Sequence, residues 1–571
     1  MSAAAAPALA VQPPKRAASG DGPGLALCVG IASIALLATI VIPVAALGIR
    51  AFQDAQGNAV WLANFARYFS TPALSAALWN SLWISGLSAF ITVALAYPFA
   101  YALTMSRMPA RGLLQGVALA PLLAPSLLPA ISLVYLFGNQ GVLKAWLGGA
   151  SIYGPIGIVI GSVFWTLPHA LLILTTALSS MDGRLREAAL TLGASRLRIF
   201  RTVTLPASRY GLVMAFMAVF VLVLTDFGVP KVIGGGTQML ATDIYKQVVG
   251  LQNFQMGAVV GVILLLPAVL AYLIERQMRS RQSASMTVRA TPYRPAAEAR
   301  RDGALLIYCL ALAAMIVVML GMAGFASLAK FWPYDLSLTL KNYRFDLTDG
   351  GGWESYWNSL RLALGTAVLG AILCFATAWM VDKPRRLGPA REGLNFMATL
   401  PLAVPGLALG LGYILFFNHP SNPLGVLYGS MSLLVICTVV HFLSVAHMTL
   451  LAALRQLDRE YELVAESLGV NPWTHILRVH LPICLPALLQ VAGYFFVNAM
   501  TTVSAVVFLY TPQTQLASVA VLNMDDAGDV APAAAMATLI FLTAACARAL
   551  LALLSHLVLR KTQHWRGEAT H

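Results

Sequence analysis

Long apolar runs, cut by short polar segments, set the plan of this chain. They fall near 25–49, 78–105, 113–137, 156–180, 210–229 and 256–275, then near 304–328, 357–381, 394–417, 431–454, 483–510 and 532–559. Each is close to the roughly 20 residues that a helix needs to cross a bilayer. The pattern predicts an all-α polytopic membrane protein with about twelve transmembrane helices. The first run follows the basic pair Lys15-Arg16. It is longer than the about 7–15 apolar residues of a signal peptide, so it is read as a retained span. Prolines inside the runs (Pro43, Pro98, Pro121, Pro125, Pro129, Pro168, Pro401 and Pro405) predict kinks. Membranes tolerate these where neighbouring helices repair the broken backbone bonding.

The polar segments repeat as well. Residues 182–206, DGRLREAALTLGASRLRIFRTVTLP, form an Arg-rich loop between two runs. Leu185 to Leu192 is rich in helix formers, and Gly193 can end that helix in the left-handed conformation. Ser195 can cap a second short helix over Arg196 to Thr204, which Leu205-Pro206 is expected to end. The same plan returns 276 positions later: Asp182 maps on Asp458, Ala189 on Ala465, Gly193 on Gly469 and Leu205-Pro206 on Leu481-Pro482. Asn471 stands at the cap and Pro472 at the first helical position. Asn80-Ser81-Leu82 recurs as Asn358-Ser359-Leu360, Pro121 and Pro125 as Pro401 and Pro405, and Thr237-Gln238 as Thr514-Gln515. Six helices per half return the chain to its starting side, so the repeat is direct, with a pseudo-two-fold axis along the membrane normal. The expected organisation is a disordered tail (1–24), a first six-helix half (25–275), a basic linker (276–303), a second half (304–559) and a tail (560–571). Pro292 and Pro295 keep the linker from forming one helix.

Composition agrees. Only 11% of residues are charged and the mean hydropathy is +0.76, against roughly 25% charged in soluble domains. The net charge of +14 raises nucleic acid as a partner, but its distribution excludes it. With the amino terminus inside, 27 of the 37 Lys and Arg fall in inner segments and 8 in outer ones. The positive-inside rule then puts both loops and both termini in the cytoplasm. Six cysteines (Cys28, Cys309, Cys374, Cys437, Cys484 and Cys546) lie in or beside apolar runs and form no disulfide or metal pattern.

Glu187-Ala188-Ala189, Gly193 and Leu205-Pro206 resemble the EAA loop of permease subunits of binding-protein-dependent ABC importers. In the second copy Leu463-Val464-Ala465 replaces Glu-Ala-Ala, with Glu462 one residue early and Glu466 one turn later. The resemblance implies an inner-membrane permease of two fused halves. Its coupling residues would be Glu187, Ala188, Ala189, Gly193 and Pro206, then Glu462, Ala465, Gly469 and Pro482. It implies a separate cytoplasmic ATPase dimer and a periplasmic binding protein as partners. Residues 331–346, 350–364, 498–510 and 517–537 are similar to the fused permease of 2-aminoethylphosphonate importers, which makes that solute the expected substrate. Ferric iron and polyamines, carried by the wider group with this layout, are the alternatives.

No GxxxxGK[ST], HExxH, CxxC or GxSxG pattern occurs, so no catalytic site, metal or cofactor is expected and ATP hydrolysis is assigned to a partner. His441 and His447 are spaced i, i+6 and read as core or pore residues. Asp226 and Arg361 are the candidate path residues, because ionisable groups inside spans are costly. Local capping by Asp226 and snorkelling by Arg361 are their plain alternatives. An outer loop carries Asp525, Asp526 and Asp529, which could meet a binding protein or lie in water. An ion-coupled secondary transporter would need carboxylates near mid-membrane, and one Asp in some twelve spans argues against it. A scaffold gives no reason for duplicated loops.

Overall fold

A computed structural model describes residues 23–285, 293, 295–348, 350–384, 387–458 and 460–562. The Lys15-Arg16 tail, Pro292 and the last residues, 563–571, lie outside the described residues. Ten helices are long and apolar enough to cross a membrane: α1 (Gly24–Ala51), α2 (Pro72–Met105), α3 (Pro155–Ser179), α4 (Arg196–Thr225), α5 (Phe254–Arg279), α6 (Ala299–Leu328), α7 (Gly352–Asp382), α8 (Met431–Arg455), α9 (Trp473–Thr501) and α10 (Val530–Val558). The chain is an all-α polytopic protein with one small antiparallel hairpin, Ala329–Phe331 with Asp335–Leu338, beyond α6.

Two predicted spans are broken rather than kinked. Arg111–Leu123 and Leu127–Phe137 meet at 102°, and Gly388–Ala403 and Gly406–Phe417 at 112°. Each bend holds a short 3-10 turn and then a residue driven into the extended region before a proline. Ala124 (ψ 142°) precedes Pro125, and Val404 (ψ 114°) precedes Pro405. The proline ring clashes with a helical predecessor, so the chain must turn there. One end of each pair is tied to a neighbouring span. Arg391, early in the second pair, donates to the Val381 carbonyl at the end of α7 (2.8 Å). Just past the first pair, the Gln140 carbonyl accepts from Trp332 Nε1 beyond α6 (3.1 Å). Counted as one span each, the two bent pairs raise the candidate crossings among the described residues from ten to twelve.

Within the first half α2, α3, α4 and α5 pack in succession, and within the second α7, α8, α9 and α10. The leading helix of each half crosses to the other. Helix α1 lies on Gly388–Thr399 and Gly406–Phe417, and α6 on Arg111–Leu119 and Leu127–Phe137. The crossing is tight: a Cβ on Gly412 would come within 2.5 Å of the Pro43 carbonyl, so only glycine fits. One apolar cluster joins Leu47, Leu264, Leu411 and Phe495, and another joins Ile84 and Phe164 to Ile316 of α6.

The repeated short motifs meet each other in the same way in both halves. Asn80 Nδ2 donates to the Gln238 carbonyl and Asn358 Nδ2 to the Gln515 carbonyl, both at 3.2 Å. Ser81 Oγ accepts from Leu240 N–H and Ser359 Oγ from Ala517 N–H, both at 2.8 Å. At the start of Leu240–Tyr245 and of Ala517–Asp526 each serine satisfies a backbone N–H, and each asparagine a carbonyl just before it.

Candidate functional site

The two glycine-turn loops lie at one end of the bundle, between α3 and α4 and between α8 and α9. The first has a helix over Gly183–Thr191, started by Asp182, whose Oδ1 accepts from Arg184 N–H. Its counterpart, Glu460–Ser467, has Asp458 Oδ1 accepting from Glu460 N–H. Gly193 (φ +72°) and Gly469 (φ +64°) take the left-handed conformation. The residue after each glycine closes the turn: Ala194 N–H donates to the Ala189 carbonyl (3.0 Å) and Val470 N–H to the Ala465 carbonyl (2.9 Å). This 6→1 bond is the Schellman arrangement, and it makes the motif alanines acceptors of the turn.

Beyond the turn, Ser195 Oγ accepts from Arg198 N–H and Asn471 Oδ1 from Trp473 N–H (3.0 Å). Here the structure corrects the sequence expectation. Leu205-Pro206 and Leu481-Pro482 do not end the second helices. Each passes through a π turn, Phe200–Thr204 or Ile476–His480, straight into the next span. Leu205 N–H reaches back to the Phe200 carbonyl and Leu481 N–H to that of Ile476. Proline has no N–H for the ordinary ladder, so a wider turn just before it loses nothing further.

Both loops offer apolar side chains outward. Leu192 is 86% exposed, Leu468 72% and Trp473 63%. Glu187, Ala188 and Pro206 are exposed, whereas Ala189, Glu462, Ala465 and Pro482 are half-buried.

The loops are held by different chemistry. Glu462 faces Lys383, at the end of α7, whose Nζ is 2.8 Å from its Oε1. Lys383 also meets Asp382 (3.3 Å) and the Leu454 carbonyl (3.2 Å), and its side chain is only 7% exposed. His480 Nε2 lies 3.4 Å from the same Glu462 oxygen, and its Nδ1 accepts from Trp379 Nε1 (3.3 Å). Burial pushes the Glu462 carboxyl up, but the hydrogen bond and charge of Lys383, helped by His480, bring it below the ordinary glutamate range. At the matching place in the first half stands Arg186. Its Nη2 donates to Tyr101 Oη (3.1 Å), and its guanidinium lies 4.6 Å from the centre of the Tyr293 ring. Sequence reading missed Lys383, His480, Arg186 and Tyr293. Only the offset of 276, which aligns Arg186 with Glu462, carries a trace of the contrast.

Asp226 and Arg361 lie at the opposite end, and they do not meet the loops. Asp226 is buried, and its carboxylate accepts from Gly228 N–H (3.2 Å) and Val229 N–H (3.0 Å) at the start of Gly228–Ile233. Arg361 is exposed and donates to Asn358 Oδ1 (3.0 Å). Asp226 thus caps local backbone, and Arg361 orients the asparagine that binds Gln515. At this end Lys231 pairs with Asp526 across the halves (3.0 Å). His447 is buried and satisfied, with Nδ1 against Thr377 Oγ1 and Nε2 against Asn395 Oδ1, each at 3.1 Å.

Residues 96–283 and 378–560 each match the family model described as binding-protein-dependent transport system inner membrane component. The chain belongs to this family. It is a permease subunit of an ABC importer, a transport component of the inner membrane, and the two matches are its two halves. The ferric transport system permease protein FbpB of Actinobacillus pleuropneumoniae is 28% identical over 515 residues, 88% of this chain and 74% of that protein. The thiamine transport system permease protein ThiP of Salmonella typhimurium is 26% identical over 74% of this chain and 79% of its own. The putative 2-aminoethylphosphonate transport system permease protein PhnV of Salmonella paratyphi A is 27% identical over 34% of this chain and 72% of its own. The likeness to phosphonate permeases expected along nearly the whole chain is thus met here over about a third of it.

Proposed function

We propose that this permease carries a solute from a binding protein into the cytoplasm and that its two glycine-turn loops dock on the paired ATPase subunits. The observation that carries the proposal is the duplicated Schellman turn, which presents Leu192 and Leu468 outward at one end of the bundle. An apolar residue held out on a rigid turn costs water contact until a partner groove covers it. The charge asymmetry supports a cytoplasmic side for that end, both termini and the linker. Glu187, Ala188, Ala189, Gly193 and Pro206, with Glu462, Ala465, Gly469 and Pro482, form the docking elements. Reporter fusions after Arg196 and Trp473 should both read cytoplasmic. Opposite sides for the two would end the docking proposal.

For the solute we propose ferric iron, supported by the alignment to a ferric permease along 88% of the chain. A second solute, 2-aminoethylphosphonate, is supported by the PhnV alignment, whose identity of 27% nearly equals the 28% of FbpB. The shorter coverage there reflects a shorter relative, since 199 residues already make up 72% of it. Growth and labelled uptake in a deletion strain separate the two. Lost ferric uptake with normal phosphonate uptake supports the first, and the reverse pattern replaces it with the second.

A further inference from the structure

The segment that joins the halves is seated on the first loop. Tyr293 lies so close to Gly183 that a Cβ there would come within 2.8 Å of the Tyr293 Cα. Its ring covers the Arg186 guanidinium at 4.6 Å, while Tyr101 of α2 stands on another side with its ring centre at 5.8 Å. Arginine between two aromatic rings is held by both cation–π attraction and the Tyr101 hydrogen bond. Five residues further on, Glu298 forms an ion pair with Arg196, the first residue of α4. Glu298 is itself anchored, because its N–H donates to Asp302 Oδ2 (3.1 Å) and Arg301 lies within 4.0 Å of its carboxylate. The linker therefore grips the loop on both sides of Gly193. In the second half the matching Glu462 is held by Lys383 and His480, groups of that half alone.

We propose that Tyr293 and Glu298 are positioning residues: they strap the first loop to the bundle and set how it is presented to its ATPase subunit. One ATPase then meets a loop set by the linker, and the other a loop set by a buried ion pair. This rests on the reading of both loops as ATPase docking elements. It gives the basic linker a mechanical task beyond joining the halves. It also makes a symmetric ATPase pair face two docking sites with different stiffness.

The test uses the full chain with its ATPase in proteoliposomes, carrying a photo-reactive side chain in place of Leu192 or of Leu468. Tyr293→Ala with Glu298→Ala should cut cross-linking from position 192 by about fivefold, as loss of roughly one cation–π contact implies. Cross-linking from position 468 should hold. Tyr293→Phe, which keeps the ring face over Arg186, should behave as the unmodified chain. Arg196→Glu alone should weaken the first cross-link, and Arg196→Glu with Glu298→Arg should restore it. Lys383→Met should reverse the pattern and weaken the 468 cross-link. Equal losses at both positions after the strap variants, or no loss at either, overturns the proposal. If neither position of the unmodified chain reaches the ATPase, the docking reading itself falls and takes this proposal with it.

Discussion

The two halves build one loop twice and fasten it twice, with different materials. Capping residue, short helix, left-handed glycine, second cap and π turn recur in register. Underneath, the first loop rests on Arg186 between tyrosines, and the second on Glu462 between Lys383 and His480. What recurs is backbone geometry, which only certain residue types allow. What differs is the side-chain footing, where several chemistries hold a helix equally well. Shared turn and unshared footing make separate predictions.

The footing of the second loop should carry the largest single effect. Glu462→Ala leaves Lys383 buried with Asp382 as its remaining carboxylate. Removing one partner of a buried pair costs about 3–5 kcal/mol, and the lower end applies because Glu462 is partly in water. Thermal melting of the purified permease should fall accordingly, and Lys383→Met with Glu462→Leu should recover much of the loss. A melting point unmoved by Glu462→Ala would remove the ion pair as the footing.

Next come the turns. Gly193→Val and Gly469→Val place a β-branched residue at φ +72° and +64°, where it costs at least about 1–2 kcal/mol. Space is not the obstacle, since nothing lies within 4 Å of either added Cβ. The strain stays in the loop, so the spans should fold. Uptake in proteoliposomes should drop about tenfold for each variant, and normal uptake in the double variant would falsify the docking role. Unequal losses for the two would sharpen the contrast in footing.

The footing of the first loop should matter less. Arg186→Ala removes a cation–π contact of about 1 kcal/mol and the hydrogen bond to Tyr101. Arg186→Lys should lose part of it, because an ammonium cannot lie flat on a ring. Limited proteolysis of the first loop should quicken by a few-fold in the alanine variant. No change would mean that Arg186 rests on Tyr293 without holding the loop.

Much of this architecture is legible in the sequence, but not its long-range part. Apolar runs identify spans, because lipid demands an apolar surface wherever a helix meets it. The glycine turns are legible because few residues adopt positive φ, and the Asn-Ser repeat because identical side-chain bonds need identical side chains. Hydropathy does not reveal the crossing of α1 and α6 into the opposite halves, since a span apolar all round has no face that names its neighbour. Pro125 and Pro405 signal a bend, but not its size, which is above 100° in both pairs. Lys383 counts in the sequence merely as one inner positive charge. Its burial against Glu462, 79 residues away, is a tertiary fact.

The smallest expected effect is the most direct test of the contrast, because acid should reach the Glu462 footing more than the Arg186 footing. Lys383 and His480 hold the Glu462 carboxyl below the ordinary glutamate range. A carboxyl depressed in the folded state contributes stability at pH above its unfolded value, roughly 4.3. That contribution fades as pH falls through the lower folded value, where the folded carboxylate at last takes a proton. The charged neighbours agree with this sign. Lys383 faces the carboxylate, Arg455 lies 3.4 Å from Asp382 in the same network, and His475 meets His480 edge-on. In the first loop, the Arg186 footing has two tyrosines and no carboxylate, and Arg196, which pairs with Glu298, lies beyond Gly193. Amide exchange at 460–467 should therefore accelerate between about pH 5 and pH 3, beyond the intrinsic change, by a few-fold at most. Exchange at 183–191, on the Arg186 side of the turn, should accelerate less. Equal acceleration in both helices would mean that acid loosens the bundle as a whole, and the difference in footing would carry no consequence for the loops.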